Sequence, residues 1–262
     1  MTTTSEPALE SAEGPRHDSM PQYSMRKVLS VWAAATVPMI VLSWVVAPTL
    51  AGTLSGPAPL PRALILCMTA GLVWQGVLVL ALTWRETRSL RWERVRDALW
   101  LRPPSSPSSG RVGGRLWWVL VPAIAIFGLT QLLPSVKAPS GRDLGVFLES
   151  ADGQHFLAGN WAWLAIIVVL AVFNTVLGEE LLFRGLLLPR MRGAFGKKDW
   201  LANGVLFALY HLDMPWAIPA MLLNTFALSY PARRYRSAWL GIIVHSVQSV
   251  MILVGTIVAV LT

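Results

Sequence analysis

The sequence predicts an all-α, polytopic membrane protein with about seven spans. Three observations carry this prediction. Charged residues make up only 14% of the chain while apolar residues reach 54%, against about 25% charged in an ordinary soluble domain. The apolar residues fall in runs of about 20, the length that crosses a bilayer as a helix. The arginines collect between those runs, on alternate loops. With 262 residues there is room for roughly six to eight spans.

In chain order, residues 1–24 are small and polar and are expected to form a disordered cytoplasmic tail. No apolar stretch falls within the first 25 residues, so a cleaved signal peptide is not expected. Residues 25–262 form the membrane domain. Its first run covers about Val28 to Leu50 and its second about Ala63 to Trp84, with a short Gly/Pro loop between. Residues 85–115 form a strongly basic segment in which Leu90, Trp92, Val95, Leu99 and Trp100 alternate with arginines. That pattern predicts a short helix on the cytoplasmic surface, with Arg toward lipid phosphates and Trp in the interface.

The third run, Leu116 to Leu133, opens with Trp117 and Trp118, as an interfacial aromatic belt does. A polar loop, Pro134 to Asn160, follows. The fourth run starts at Trp161 and contains adjacent carboxylates, Glu179 and Glu180. The fifth and sixth, Trp200 to Leu212 and Trp216 to Tyr230, are short enough to form a broken or re-entrant pair instead of two full spans. The seventh is Ala238 to Leu261. Basic clusters at the N-terminus, 85–115, 184–198 and 233–236 alternate with loops poor in Lys and Arg. Seven spans satisfy every loop with the N-terminus in the cytoplasm. The formal charge of +8 is accounted for by these loops, and no nucleic-acid partner is expected. The single cysteine, Cys67, excludes an intramolecular disulfide and a cysteine metal site.

A carboxylate in hydrocarbon costs several kcal/mol unless it is paired, neutralised or wet. Two together therefore need an explanation. At a helical rise of 1.5 Å per residue, Glu179 lies ~16 Å from Arg190, His211 ~16 Å from Trp200 and His245 ~13 Å from Arg236. Two carboxylates and two imidazoles thus share one depth, nearer the cytoplasmic side. Glu180 and Arg184 stand at i,i+4 and are expected to pair, leaving Glu179 free to face a cavity. Phe207 should pack beside His211, again at i,i+4. His245, Gln248 and Ser249 share a helix face.

Singly, an i,i+4 ion pair or a lone membrane histidine is ordinary helix packing. Asn174, Gln75 and Asn224 are read that way. Together the group places acid and base capacity at one point. With no Ser or Cys nucleophile in register, the chemistry this suggests is activation of water. Glu179 and His211 would form the general base. His245, with Gln248 or Ser249, would donate to the oxyanion formed when water attacks an amide. A zinc ion held by Glu179, His211 and His245 is the alternative. The spacing is not that of the helical H-E-x-x-H motif, so no cofactor is the preferred reading. A proton relay or transporter would also use membrane Glu and His. The chain shows no internal repeat, and its site lies away from the midplane.

Three motifs carry a family resemblance. Glu179-Glu180-Leu-Leu-Phe-Arg184 reads as E-E-x-x-x-R, Phe207-Ala-Leu-Tyr-His211 as F-x-x-x-H, and His245 with Ser249 stands where H-x-x-x-N is usual. In this order they resemble the CPBP family, which includes type II CAAX prenyl endopeptidases and Abi-type proteins linked to bacteriocin processing and immunity. The motifs cover about residues 160–262. The resemblance implies an intramembrane endopeptidase in the cell membrane, cleaving peptide or protein substrates, lipidated or not, near the cytoplasmic face. It implies that Glu179 and His211 activate water, that His245 belongs to the oxyanion hole, and that Arg184 steadies Glu180. The family has been described both as metalloproteases and as glutamate-type proteases. Ser249 departs from the usual Asn, and a hydroxyl reaches less far than a carboxamide. The alternative on the same bundle is a non-catalytic adaptor or bacteriocin-immunity type protein.

Overall fold

In the computed structural model, which describes residues 20–132 and 136–262, the chain is all-helical, with no named strand among those residues. Five helices are long and apolar enough to cross a membrane. These are α1 (Met25–Ala51), α2 (Pro59–Thr87), α4 (Gly114–Gln131), α7 (Trp161–Arg190) and α11 (Ala238–Leu261). They coincide with runs one, two, three, four and seven of the sequence. Their outer faces expose large apolar side chains such as Leu129, Met251 and Val258. In water such surface would be costly, and in lipid it is the expected covering.

The fifth and sixth runs form a different object. They fold into α8 (Asp199–Tyr210), α9 (Ile218–Leu223) and α10 (Ser229–Tyr235), joined by tight turns. Their two ends return to the same level. Arg233 pairs with Asp199, the Ser229 hydroxyl donates to Asn203 Oδ1 at 2.9 Å, and Gly204 touches Thr225. None of these helices reaches the length of a full span. Pro215 and Pro219 fall at helix starts and keep the pieces short.

Each long helix begins where its sequence allows. The Ser24 hydroxyl accepts the Lys27 N–H at the start of α1, at 3.3 Å. The expected 135–160 loop contains two short helices, α5 (Leu144–Glu149) and α6 (Ala151–Leu157). Asp143 and Ser150 cap them by accepting from Val146 N–H and Gly153 N–H, each at 3.1 Å. They place Phe147 and Leu157 against the bundle.

Of the expected 1–24 tail, residues 1–19 lie outside the described residues. Residues 20–24 are extended and docked. Tyr23 is buried, its N–H donates to the Arg190 carbonyl at 2.8 Å, and the Gln22 amide donates to the Pro189 carbonyl at 3.1 Å. The Tyr23 hydroxyl and the Arg190 guanidinium both donate to Glu86, the latter at 2.9 Å from Nε. Burial, with the Glu86 hydrogen bond adding to it, raises the Tyr23 phenol. The starts of α1 and the ends of α2 and α7 are thereby tied at one end of the bundle.

The basic segment holds one short helix, α3 (Trp92–Ala98). Trp92 is exposed as expected. Leu99, Trp100 and Leu101 instead join the main core. The backbone turns at Trp100, which has a positive φ of 50°, and this swings the chain inward. The Ala238 N–H then donates to the Trp100 carbonyl at 2.9 Å. Alternating charge and apolarity made the stretch through Trp100 read as amphipathic, yet Leu99, Trp100 and Leu101 are buried between two exposed stretches.

The centre of the bundle is the contact between α2 and α7. Small residues allow it: a Cβ on Gly178 would lie 3.2 Å from the Leu72 carbonyl oxygen, and one on Gly76 3.3 Å from that of Leu177.

Candidate active site

The paired carboxylates sit in α7, whose winding loosens on both sides of them. Phe173–Gly178 and Leu181–Leu187 are π-helical. Such turns are rare and recur at functional sites. Here the wider turns shift the side chains relative to an α-helix, which the sequence reading assumed throughout. Glu180 and Arg184 meet nevertheless, with Arg184 Nη1 donating to Glu180 Oε1 at 2.8 Å. His245 on α11 donates from Nδ1 to the same oxygen at 3.0 Å. Glu180 therefore joins α7 to α11, with a guanidinium and an imidazole on one carboxylate oxygen.

That junction requires Gly241 on α11. A Cβ there would fall 2.3 Å from Glu180 Oε2. Arg184 is held from other sides as well. Its guanidinium carbon lies 4.0 Å from the centre of the Phe207 ring, a cation–π arrangement. Its Nη2 reaches the Ser229 hydroxyl at 3.5 Å. Ser229 donates to Asn203 Oδ1, and the Asn203 amide donates to the Phe183 carbonyl at 2.8 Å. A buried polar chain thus fastens the α8–α10 hairpin to α7. Within it the Arg184 Nε is buried without a hydrogen-bond partner, a donor left over in an otherwise paired network.

The two carboxylates differ. Glu180 and Arg184 are sealed at 0% exposure, whereas Glu179, His211, His245 and Ser249 keep 3%, 5%, 4% and 7%. Those four are buried without being completely sealed. Glu179 Oε2 has no hydrogen-bond partner. Its neighbour is the Tyr210 hydroxyl. Tyr210 accepts the Gln75 amide N–H at 2.6 Å, which leaves its own proton to point to the carboxylate.

His211 closes α8. Its Nδ1 lies 2.8 Å from the Phe207 carbonyl oxygen. A carbonyl only accepts, so Nδ1 carries the proton and Nε2 presents a lone pair. The Phe207 ring packs edge-on against His211, as the i,i+4 spacing predicted, with centroids 4.8 Å apart. It also meets the His245 ring edge-on, 6.2 Å away. One phenylalanine therefore spaces both imidazoles and carries Arg184 on its face.

Of the seven residues singled out in the sequence, four meet around Phe207 and Gly241: Glu180, Arg184, His211 and His245. Glu179 is the chain neighbour of Glu180, and Ser249 stands one turn beyond His245 on α11. Gln248 does not join them. Its amide donates to Gln131 on α4 at 3.4 Å, away from the cluster. The expected convergence of Gln248 with His245 fails because α11 turns its i+3 position toward α4. Among the described residues, no three of His, Cys, Asp and Glu are arranged to hold a metal ion.

The sequence reading passed over Tyr210 and Gly241 and took Gln75 for ordinary helix packing. Tyr210 stands beside His211 within the second motif, and Gly241 one turn before His245. Gln75 is a lone amide in an otherwise apolar span, the available signal that it faces a polar group.

No curated protein and no solved structure matches this chain. Residues 160–251 match a family model described as type II CAAX prenyl endopeptidase Rce1-like. That segment holds all seven of the residues singled out. Through this match the motif-bearing part of the chain is similar to the CAAX proteases of the CPBP family.

Proposed function

We propose that this protein is an intramembrane endopeptidase in which Glu179 and His211 activate a water for attack on a peptide carbonyl. The observation that carries the reading is the unequal treatment of the two carboxylates. Glu180 is consumed by Arg184 and His245, while Glu179 keeps an unpartnered oxygen and His211 keeps a bare Nε2. A bare imidazole nitrogen and a carboxylate are the groups general-base catalysis uses.

The steps follow from the residues. Water loses a proton to the Glu179–His211 pair as its oxygen bonds to the carbonyl carbon. The carbonyl oxygen takes the negative charge. His245 donates to that oxygen from Nε2, which requires a proton on each ring nitrogen. The Glu180 carboxylate on Nδ1 supplies the counter-charge for that form. Ser249, one turn further along α11, offers a second donor. The tetrahedral intermediate collapses as the C–N bond breaks, and the base pair returns its proton to the leaving amine. In this reading the chemistry is metal-free, since a Glu–His base needs no further ligand.

With the α8–α10 hairpin counted as two short crossings, the chain makes the seven passages that charge alternation requires. The N-terminus and the site's nearer opening then face the cytoplasm. Substrates are membrane-associated peptides or proteins.

The test is cleavage of a co-expressed membrane substrate by Glu179→Ala and His211→Ala, at matched protein levels. Loss of cleavage in both is expected. Full cleavage by both would end this reading. If cleavage is absent from the wild type too, while a biological phenotype survives both substitutions, the protein is a non-catalytic adaptor or immunity type. Ser249 in place of Asn, with Gln248 turned to α4, is the observation that favours that second reading.

A further inference from the structure

At the end of the bundle where α7 stops and α11 starts, two adjoining clefts of about 300 and about 80 Å³ share Arg192, Arg233 and Arg236. Lys197 and Arg234 line the larger, Arg102 the smaller. Six cations thus face one carboxylate, Asp199. That carboxylate is already engaged, accepting from the Trp200 N–H at 2.8 Å and pairing with Arg233. We propose that this double cleft binds the phosphate of an anionic lipid headgroup.

The first argument is electrostatic. Like charges held close repel unless an anion lies between them. Arg102 is the most enclosed of the cations without a carboxylate partner in the clefts. It is partly buried with its Nε unpartnered, and burial together with the nearby Arg236 and Arg96 charges lowers its guanidinium from the usual value, against the opposing pull of Asp97. Guanidinium groups suit phosphate because they donate in a planar fork.

The second argument is conformational. Arg236 follows α10 in the left-handed region, φ 49° and ψ 46°, its N–H donating to the Ala232 carbonyl. That is the position where helices ordinarily place glycine. A long, charged residue held there at a conformational cost points to a use for its side chain.

The third argument is location, and it selects a lipid over a soluble acidic peptide. The cleft lies between the last residues of α7 and the first of α11, two of the apolar helices long enough to span. Trp200 and Tyr230, stacked edge-to-face at 5.2 Å, stand at its rim. Aromatic rings with basic side chains mark the headgroup layer.

The experiment uses the full chain purified in a neutral detergent. Phosphatidylglycerol is titrated while bound lipid is counted by native mass spectrometry and the unfolding midpoint is followed. The wild type is expected to bind phosphatidylglycerol and gain stability, with no comparable response to phosphatidylcholine. Arg236→Gly fits the backbone and should fold at least as well as the wild type, yet bind at least about tenfold more weakly, the effect of losing a charged hydrogen bond. Arg192→Gln should weaken binding similarly. Glu179→Gln, remote from the cleft, should bind as the wild type does. Equal affinity in Arg236→Gly and Arg192→Gln, or an equal response to phosphatidylcholine, would overturn the site. Displacement of the lipid by millimolar inorganic phosphate or by an acidic peptide of lower dissociation constant would overturn the assignment to lipid.

Discussion

Gly241→Ala is the smallest change that reaches the centre of the site. The new methyl carbon would begin 2.3 Å from Glu180 Oε2 and 3.2 Å from Arg184 Cγ. Ordinary contact needs the carboxylate to retreat by about 1 Å, beyond which its 2.8 and 3.0 Å bonds to Arg184 and His245 are no longer hydrogen bonds. A buried guanidinium without its carboxylate costs about 3–5 kcal/mol. Alanine's better helix propensity returns about 1 kcal/mol, so a net loss of about 2–4 kcal/mol is expected. Gly255→Ala is the control on the same helix, because a Cβ there meets nothing within 4 Å and only the propensity gain applies. The assay is thermal unfolding of both purified variants beside the wild type, with substrate cleavage on the same samples. Gly241→Ala should unfold several degrees earlier and cleave poorly, and Gly255→Ala should do neither. Wild-type stability and cleavage in Gly241→Ala would refute the claim that Glu180 joins the two helices.

The hairpin can be tested by overpacking and relief. In Gly204→Ala the added carbon would start 2.0 Å from Thr225 Oγ1 and 2.5 Å from its Cβ, at a cost of about 1–3 kcal/mol; adding Thr225→Ala, which removes the first contact and keeps the second, should restore only part of the lost unfolding midpoint. Ser249→Asn restores the carboxamide usual in the family at this position. If a second oxyanion donor limits the rate, kcat should rise by up to ~10²-fold with little change in KM, given what one such donor contributes. Exhaustive chelation followed by desalting should leave cleavage intact, and activity that disappears and returns only with added metal would contradict the metal-free reaction.

The five long helices were legible because twenty apolar residues in a row admit few other structures. The site was legible because Glu179, Glu180, His211 and His245 are costly to place in such runs without a purpose. What the sequence concealed is of a different kind. Nothing local distinguishes the π-helical turns of α7 from an α-helix, since both are built of the same apolar residues. Runs five and six carry the composition of spans, and only their prolines and short length hinted at a hairpin. The burial of Leu99 and Trp100 depends on a left-handed turn at Trp100 that no residue type there announces. Gln248 shares its helix face with His245 on paper, but the rotation of α11 against α4 decides which way it points. These outcomes are set by packing between segments far apart in the chain, which one-dimensional pattern does not encode.

The central claim is that Glu179 and His211 act as one base. A double-mutant cycle on the purified protein measures this, with kcat/KM determined for Glu179→Gln, His211→Gln and the two combined. Groups that act as a unit give grossly non-additive losses, so the combined variant should be no slower than the slower single variant. Losses that multiply would mean the two side chains contribute separately and would contradict the account.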